Sequence, residues 1–246
     1  MKVEVYIPDT LSEITLGQYQ KYLKIQENNE DENFLAIKMI EIFCGLRGDT
    51  IMAMKANSIK DITLILTEMF NEKPQLVKEF KMGGRNYGFV PKLEDMTFGE
   101  YIDLDTYIGD MNNIHRAMNV LYRPMKQKYQ DRYLVEDYTG EDPEKMLNMP
   151  MDAVLSSILF FLQFRDGLVE SYAELFGERS GNELSSVSNF GRKWGWYQSL
   201  FGLSQGDIRR FEDITKLNVH TCLYALSFMK EKAEVESKNI KSKFNR

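Results

Sequence analysis

Histidine and cysteine side chains most often carry catalysis or metal binding, and this sequence has two of each in 246 residues. Cys222 and His220 lie two positions apart in a helical pattern, so their side chains point to different faces. His115 has no cysteine or second histidine at metal-ligand spacing. Because a nucleophilic triad or a metal centre needs such groups to converge, the sequence predicts no catalytic residue and no metal ligand.

Carboxylates and glycine-rich turns are the other candidates for chemistry. Pairs such as Asp103 and Asp105 could act as acid and base, but a chain with 37 acidic residues contains such pairs by composition alone. Gly83-Gly84 is not followed by the Lys-Ser/Thr of a phosphate-binding loop, and a two-residue hairpin turn is favoured there. We therefore predict no cofactor and no enzymatic activity.

The amino-acid composition indicates a globular protein and disfavours the membrane-spanning, nucleic-acid-binding and secreted classes. The chain is 43% hydrophobic and 28% charged, as in globular proteins, and no apolar run approaches the roughly 20 residues of a membrane span. A net charge of −6 does not favour nucleic acid as the main partner. The charged N-terminal segment predicts no secretion signal, and Cys44 and Cys222 are interpreted as buried free thiols.

A short stretch occurs twice and indicates how the chain is built. Thr15-Leu16-Gly17-Gln18-Tyr19 returns as Thr97-Phe98-Gly99-Glu100-Tyr101, 97 − 15 = 82 positions later. In each copy a threonine at the N-cap and a glutamine or glutamate three residues later predict a capping box at a helix start. Ile14 and Met96 precede the two threonines, where a hydrophobic staple belongs.

A second set of matching residues, in two later helices, supports an internal duplication of the helical unit. Apolar residues of the helix predicted from Ser58 match those of a helix after Pro150 at an offset of 92, with about ten extra residues supplied by a short hairpin at 129–138. The fold class predicted is mainly α with a small antiparallel β-sheet, an internally duplicated helical unit and a long C-terminal helix. Strands are expected near 2–7, 78–82 and 85–90.

The domain organisation predicted from these patterns has three parts. A duplicated body spans 1–177, with repeat 1 at about 1–82 and repeat 2 at about 83–177. A linker rich in serine, asparagine and glycine covers 178–189. The C-terminal region, 190–246, contains both tryptophans and a last helix with a heptad-like seam: Val219, Leu223, Leu226, Lys230, Ala233, Ser237, Ile240 and Phe244.

The C-terminal region supplies the candidate partner-binding residues. An aromatic cluster this dense is typical of a core, but tryptophan and tyrosine also dominate interface hot spots. The end of the last helix combines apolar and basic side chains and has a frayed, solvated tail as its alternative. The predicted partner-binding residues are Trp194, Trp196, Tyr197, Phe201, Lys238, Ile240, Lys241 and Phe244.

Four stretches carry a resemblance to a known group of proteins. They are Leu93–Tyr101, Trp194–Tyr197, Phe211–His220 and Lys230–Glu234. Together they resemble tailed-bacteriophage morphogenesis proteins, a group often labelled tail assembly chaperones or structural proteins. The likeness covers most of the chain and contains no catalytic signature.

The resemblance implies a non-enzymatic role in tail or head–tail connector assembly, with phage tail, portal or connector components as partners. One alternative is a structural component that stays in the virion, as a connector ring subunit or an internal cargo protein. A packaged DNA-contacting protein is a third reading, which the net charge opposes. A homo-oligomer remains open, no membrane association is expected, and the location implied is the virion or the cytoplasm of an infected bacterium.

The absence of assigned chemistry can be tested at the two histidines. Replacing His115 or His220 with alanine should change the stability of the protein at most, because neither side chain is given a chemical role. Denaturant unfolding would measure the stability, and metal titration followed by spectroscopy would measure binding. A bound metal ion with either histidine as a ligand would contradict the prediction.

Overall fold

The computed structural model describes residues 5–130, 132–176 and 194–244. It confirms the predicted fold class, since the described chain is mainly helical with one small antiparallel sheet and a long C-terminal helix. The helices are α1 Leu16–Gln26, α2 Glu32–Phe43, α3 Gly48–Met52, α4 Ala56–Phe70, α5 Phe98–Tyr107, α6 Ile114–Leu121, α7 Met151–Ser171, α8 Ala173–Phe176, α9 Trp196–Leu203, α10 Phe211–Thr215 and α11 Val219–Phe244. Short 3-10 helices cover Leu11–Glu13, Leu93–Asp95, Pro143–Asn148 and Ile208–Arg210.

Two hairpins make the sheet, in the order β1-β2-β3-β4. The strands are β1 Glu79–Met82, β2 Arg85–Phe89, β3 Tyr122–Tyr129 and β4 Arg132–Val135. The predicted Gly83-Gly84 turn is confirmed, with φ of 56° and 78°, values that glycine adopts without the steric cost of a Cβ. The β2–β3 ladder ends at the pair Tyr87 and Pro124, because proline has no N–H to donate to a further rung.

Three local predictions need correction or refinement. The strand expected at 2–7 is absent at residues 5–7, which have no regular secondary structure; residues 2–4 lie outside the described chain. The helix predicted to begin at a Ser58 cap begins two residues earlier than that cap, at Ala56. Its N-cap is Lys55, whose backbone is extended, and Ser58 lies inside the first turn. The second hairpin forms, but β3 begins at Tyr122, directly after the end of α6.

Contacts group the described chain into two compact units. The first comprises residues 1–91 and 106–160, and the second comprises 92–105 and 161–246, apart from the undescribed positions. The predicted linker, 178–189, lies outside the described residues. The predicted division into a body with two repeats and a C-terminal region therefore stays a prediction.

The core of the first unit is largely aromatic and aliphatic. Helix α2 packs against α1, α3 and α4, where the ring of Phe43 lies 5.5 Å from that of Tyr22 and 5.2 Å from that of Phe70. Under the sheet, the fully buried Tyr122 packs on Phe80 and Phe89. Burying aromatic rings in tilted or edge-on pairs adds about 0.5–1.5 kcal/mol per pair beyond the area term.

In the first unit, the N-terminus of α1 and the N-terminus of α7 are joined by a pair of backbone hydrogen bonds, called here the first bridge. The N–H of Leu16 donates to the carbonyl of Met149 at 2.8 Å, and the N–H of Met151 donates to the carbonyl of Ile14 at 2.9 Å. Thr15 and Pro150 are the paired residues between them. Since the first N–H groups of a helix have no partner inside it, each helix satisfies one such group of the other.

The second unit repeats this arrangement between α5 and α11, as the second bridge. The N–H of Phe98 donates to the carbonyl of Leu217 at 2.7 Å, and the N–H of Val219 donates to the carbonyl of Met96 at 3.0 Å. Thr97 and Asn218 are the paired residues. Each donor and acceptor of the first bridge thus has its counterpart 82 positions later on the α1 side and 68 positions later on the α7 side.

The predicted capping boxes form beside both bridges. Thr15 accepts from the N–H of Gln18 at 3.2 Å, and the Gln18 side chain accepts from the N–H of Thr15 at 2.9 Å. In the second unit the Glu100 side chain accepts from the N–H of Thr97 at 2.6 Å, and the threonine hydroxyl accepts from the N–H of Glu100 at 3.2 Å. The predicted staple residues, Ile14 and Met96, are both buried.

Gly17 and Gly99 owe their identity to the bridges. A Cβ on Gly17 would lie 3.0 Å from the carbonyl oxygen of Leu147, and one on Gly99 would lie 3.1 Å from the carbonyl oxygen of Thr215. Both obstacles are backbone atoms, which cannot rotate away as a side chain can. The glycine in the repeated sequence therefore reflects close packing of the segment that enters the partner helix.

We predict that Gly17→Ala and Gly99→Ala each destabilise the protein by about 1–3 kcal/mol, because the added methyl group must displace backbone. Gly167→Ala is the matched control, since that residue lies inside α7 with nothing within 4 Å of its Cβ position. It should stabilise the protein by about 0.5–1 kcal/mol through helix propensity. Urea unfolding measures all three; equal effects at the three positions would refute the close-packing explanation.

Candidate interaction surface

The two tryptophans lie in different environments at the start of α9. Trp196 turns inward and is half-buried, with its indole N–H donating to Asp105 Oδ2 at 3.0 Å. Its ring meets Phe98 and Tyr101 edge-on, at centroid distances of 5.6 and 5.5 Å. Because a buried indole needs a partner for its N–H, the Asp105 carboxylate accounts for the inward position of this residue.

The neighbouring aromatic residues face outward and form what we call the aromatic ridge: Trp194, Tyr197 and Phe201. Their exposed fractions are 42%, 47% and 48%. The ring of Tyr197 lies 5.7 Å from that of Trp194 and 6.4 Å from that of Phe201, so the three form one continuous row. Large aromatic side chains held at this exposure are typical anchors of protein interfaces.

The turn after α9 holds the end of the ridge in place. Gln205, directly after the C-cap Ser204, is left-handed with φ of +57°, and the N–H of Gly206 donates to the carbonyl of Phe201 at 2.9 Å, which closes the helix in a Schellman motif. The Phe201 ring lies against this glycine, 3.3 Å from where a Cβ would be. In the middle of the ridge, the ring of Phe211 packs edge-on against Tyr197 at 5.5 Å. Contacts within the second unit thus hold Tyr197 and Phe201 in place.

Helix α11 changes from buried to exposed along its length. Val219, Cys222 and Leu223 are buried in the second unit, whereas every residue from Glu231 to Lys243 is exposed. The predicted heptad-like seam therefore packs only in its first part. At 26 residues the helix is roughly 39 Å long, and its exposed half contains Val235 and Ile240 at 57% and 56% exposure.

The structure brings together some of the predicted partner-binding residues and separates others. Trp194, Tyr197 and Phe201 share the ridge, whereas Trp196 belongs to the interior of the second unit. Lys238, Ile240 and Lys241 lie on the exposed end of α11, and the side chain of Phe244 lies outside the described residues.

Two exposed aromatic residues were not among the predicted partner-binding residues. Tyr224 is 74% exposed and Phe228 is 62% exposed, on the face of α11 away from Leu223. The predicted seam contains Leu223 and Leu226, so the sequence assigned that face of the helix to packing and gave no role to the face with Tyr224 and Phe228. The spacing of four residues between the two rings was the only sequence signal of their shared face.

Residues with reactive side chains are accounted for by packing. His115 is buried, with Nδ1 3.3 Å from Gln20 Nε2 and Nε2 3.3 Å from Glu144 Oε1. His220 Nδ1 lies 3.1 Å from the hydroxyl of Tyr172. Within the described residues, no three histidine, cysteine, aspartate or glutamate side chains converge as metal ligands would.

The cysteines are free, and their environments disfavour the reactive thiolate. Cys222 is buried, as predicted, and Cys44 is only half-buried. Burial raises the pKa of both thiols to about 11, so the thiolate is scarce at neutral pH.

A polar cleft of about 300 Å³ opens where the two hairpins diverge beyond Pro124. Three cations border it, but each has a carboxylate partner: Arg85 with Glu136, Lys126 with Asp137 and Lys128 with Glu79. Since these charges are already paired, the cleft offers no free positive charge for an anionic ligand.

Comparison with known proteins finds no matching family model, no matching curated protein and no matching solved structure. Among the helices of the described residues, none has both the length and the apolar character needed to cross a membrane.

The different positions of the two tryptophans predict different effects of substitution. Trp196→Ala should destabilise the protein by roughly 3 kcal/mol, because it removes a packed ring and its hydrogen bond to the Asp105 carboxylate. Trp194→Ala, at the start of the exposed ridge, should cost less than about 1 kcal/mol. Thermal and urea unfolding of the two variants would measure the difference, and similar losses would show that the ridge is part of the core.

Proposed function

We propose that this protein is a non-enzymatic bacteriophage morphogenesis protein that acts through protein–protein contacts in tail or head–tail connector assembly. The assignment to phage assembly comes from the sequence resemblance of the four stretches described above. The exposed half of α11 carries the argument for protein binding. A partner that covered this half would account for apolar side chains on a helix that its own unit does not bury.

The energetics favour a bound state for this helix end. Its first half is stabilised by buried side chains such as Val219 and Leu223, but helices without tertiary packing are marginally stable in water. Covering Val235 and Ile240 in a partner's groove would contribute about 1.5–3 kcal/mol for each side chain if it were fully buried. Lys238, Lys241 and Lys243 around Ile240 suit an acidic rim on the partner.

The aromatic ridge supports the same role with a second surface. The rings of Tyr197 and Phe201 pack against Phe211 and Gly206 of the same unit, so binding through them would cost less side-chain entropy. Two exposed surfaces in one unit would suit a protein that holds two components together, or one that covers apolar segments of a single component during assembly.

The proposal is compatible with either a chaperone or a structural component. A chaperone leaves before the particle matures, whereas a connector ring subunit or an internal cargo protein stays. Mass spectrometry of purified particles distinguishes them, since presence at a fixed copy number identifies a structural component and absence identifies an assembly factor.

Deleting residues 236–246 tests the role of the helix end. The truncated protein should fold with an unchanged melting temperature, because residues 236–243 are exposed, and it should lose co-purification with phage tail or connector components. Salt should weaken the interaction of the full chain, since screening reduces the contribution of the lysines.

Leu134→Ser is the matched control for removing exposed apolar surface, because Leu134 is 63% exposed on β4 in the other unit. It should co-purify as the unaltered chain does. Normal assembly by the truncated chain would show that the helix end is dispensable, and the proposed role of α11 would be wrong.

A further inference from the structure

The two bridges align the helices that follow them residue by residue. With Met151 matched to Val219, each residue of α7 corresponds to the residue of α11 that lies 68 positions later. The residues before the helices correspond as well, since the N–H of Met149 donates to the carbonyl of Met146 and the N–H of Leu217 to that of Ile214. Leu155 matches Leu223, and Phe160 matches Phe228, with the same residue type in both units.

In the first unit, one face of α7 is covered by the chain's own sheet. Ala153 and Ser156 on this face are buried, at 0% and 2% exposure. The N–H of Val77, just before β1, donates to Ser156 Oγ at 3.2 Å. The ring of Phe160 meets Phe89 of β2 edge-on, with centroids 5.5 Å apart.

Tyr122 of β3 connects the sheet to this face of α7. Its hydroxyl donates to the carbonyl of Val77 at 2.6 Å and lies 3.4 Å from the carbonyl of Ala153. This face of α7 is therefore contacted by Val77 before β1, by Phe89 of β2 and by Tyr122 of β3.

The matching face of α11 is exposed in the second unit. It consists of Thr221, Tyr224 and Phe228, which correspond to Ala153, Ser156 and Phe160. Tyr224 and Phe228 are 74% and 62% exposed, whereas in the first unit Ala153 and Ser156 are buried and Phe160, beside Phe89, is 41% exposed. The four strands of the described chain all belong to the first unit.

We propose that the face of α11 formed by Thr221, Tyr224 and Phe228 binds a β-hairpin of a partner protein, placed as β1 and β2 are placed on α7. The hairpin presents an aromatic residue to Phe228, as Phe89 is presented to Phe160. This inference rests on the proposed protein-binding function and names the kind of partner. It concerns a different surface from the C-terminal end of α11.

One difference between the units determines how closely the partner hairpin can approach α11. Ser156 is small and allows Val77 to approach the helix backbone, whereas Tyr224 at the matching position projects a ring. The partner hairpin therefore lies farther from the helix axis and contacts the Tyr224 ring. A pair of exposed aromatic rings at i and i+4 is an adequate anchor for such a contact.

The probe for this face is a backbone-cyclised peptide with the sequence of residues 77–90, which contains the β1–β2 hairpin and Phe89. Cyclisation is needed because isolated hairpins are marginally stable. Titrated into the full-length, isotope-labelled chain, it should produce saturable NMR shifts centred on residues 221–228. The Phe228→Ala chain should bind at least tenfold more weakly, as should a peptide carrying Phe89→Ala.

Tyr129→Ser is the matched control, because Tyr129 is also 74% exposed but lies on β3. Its affinity should equal that of the unaltered chain. Absence of saturable shifts, shifts centred on α7, or equal binding by all variants would overturn the inference. A dimer in light scattering that Tyr224→Ser abolishes would also overturn it, because a second copy would then cover the face. The deletion of 236–246 leaves this face intact, so the two proposals can fail separately.

Discussion

The first N–H groups of a helix have no partner inside the helix, and this protein meets that constraint in the same way twice. In each unit two helices far apart in sequence place their N-termini together, and each satisfies an N–H of the other through the carbonyl that precedes its cap. The capping boxes satisfy further N–H groups beside the bridge. The glycine after Leu16 or Phe98 lets the entering segment approach to contact distance.

Bringing two helix N-termini together has an electrostatic cost, because both carry partial positive charge. Carboxylates close to the bridges offset it. Glu100 accepts from the N–H of Thr97 in the second unit, and Asp152 accepts from the N–H of Ala153 at 2.7 Å in the first turn of α7. Burial raises the pKa of Asp152 above its ordinary value, so part of this favourable charge is lost at a higher pH than for a solvated aspartate.

The duplicated pair of helices is used differently in the two units. In the first unit α7 has small residues at Ala153 and Ser156, and a sheet packs against them. In the second unit α11 has larger residues at the matching positions, and its C-terminal half is exposed. The aromatic ridge lies in the same unit. The features that suit partner binding are thus concentrated in the unit that lacks a described sheet, which is the physical basis of the proposals.

Local signals in the sequence determined the starts of α1 and α5 and the first hairpin. A capping box spans four residues and a Gly-Gly turn spans two, so the energetics of both are complete within the stretch that encodes them. The buried start of the last helix was predicted from its apolar spacing. The sequence did not predict which aromatic residues of the C-terminal region are exposed and which face inward. Trp196 faces inward because its indole N–H donates to Asp105, which is 91 positions away and therefore outside the local pattern.

The pairing of the helices was likewise decided by tertiary structure alone. Apolar periodicity matched the helix after Pro150 to the one near Ser58, and that correspondence stays a prediction. The bridges match the helix after Pro150 to α11, through backbone hydrogen bonds that leave almost no trace in side-chain identity. Every residue except proline has the same backbone N–H and C=O groups, so these hydrogen bonds are not encoded in residue type. The sequence therefore shows where helices begin, and only the folded chain shows which helix N-termini are hydrogen-bonded to each other.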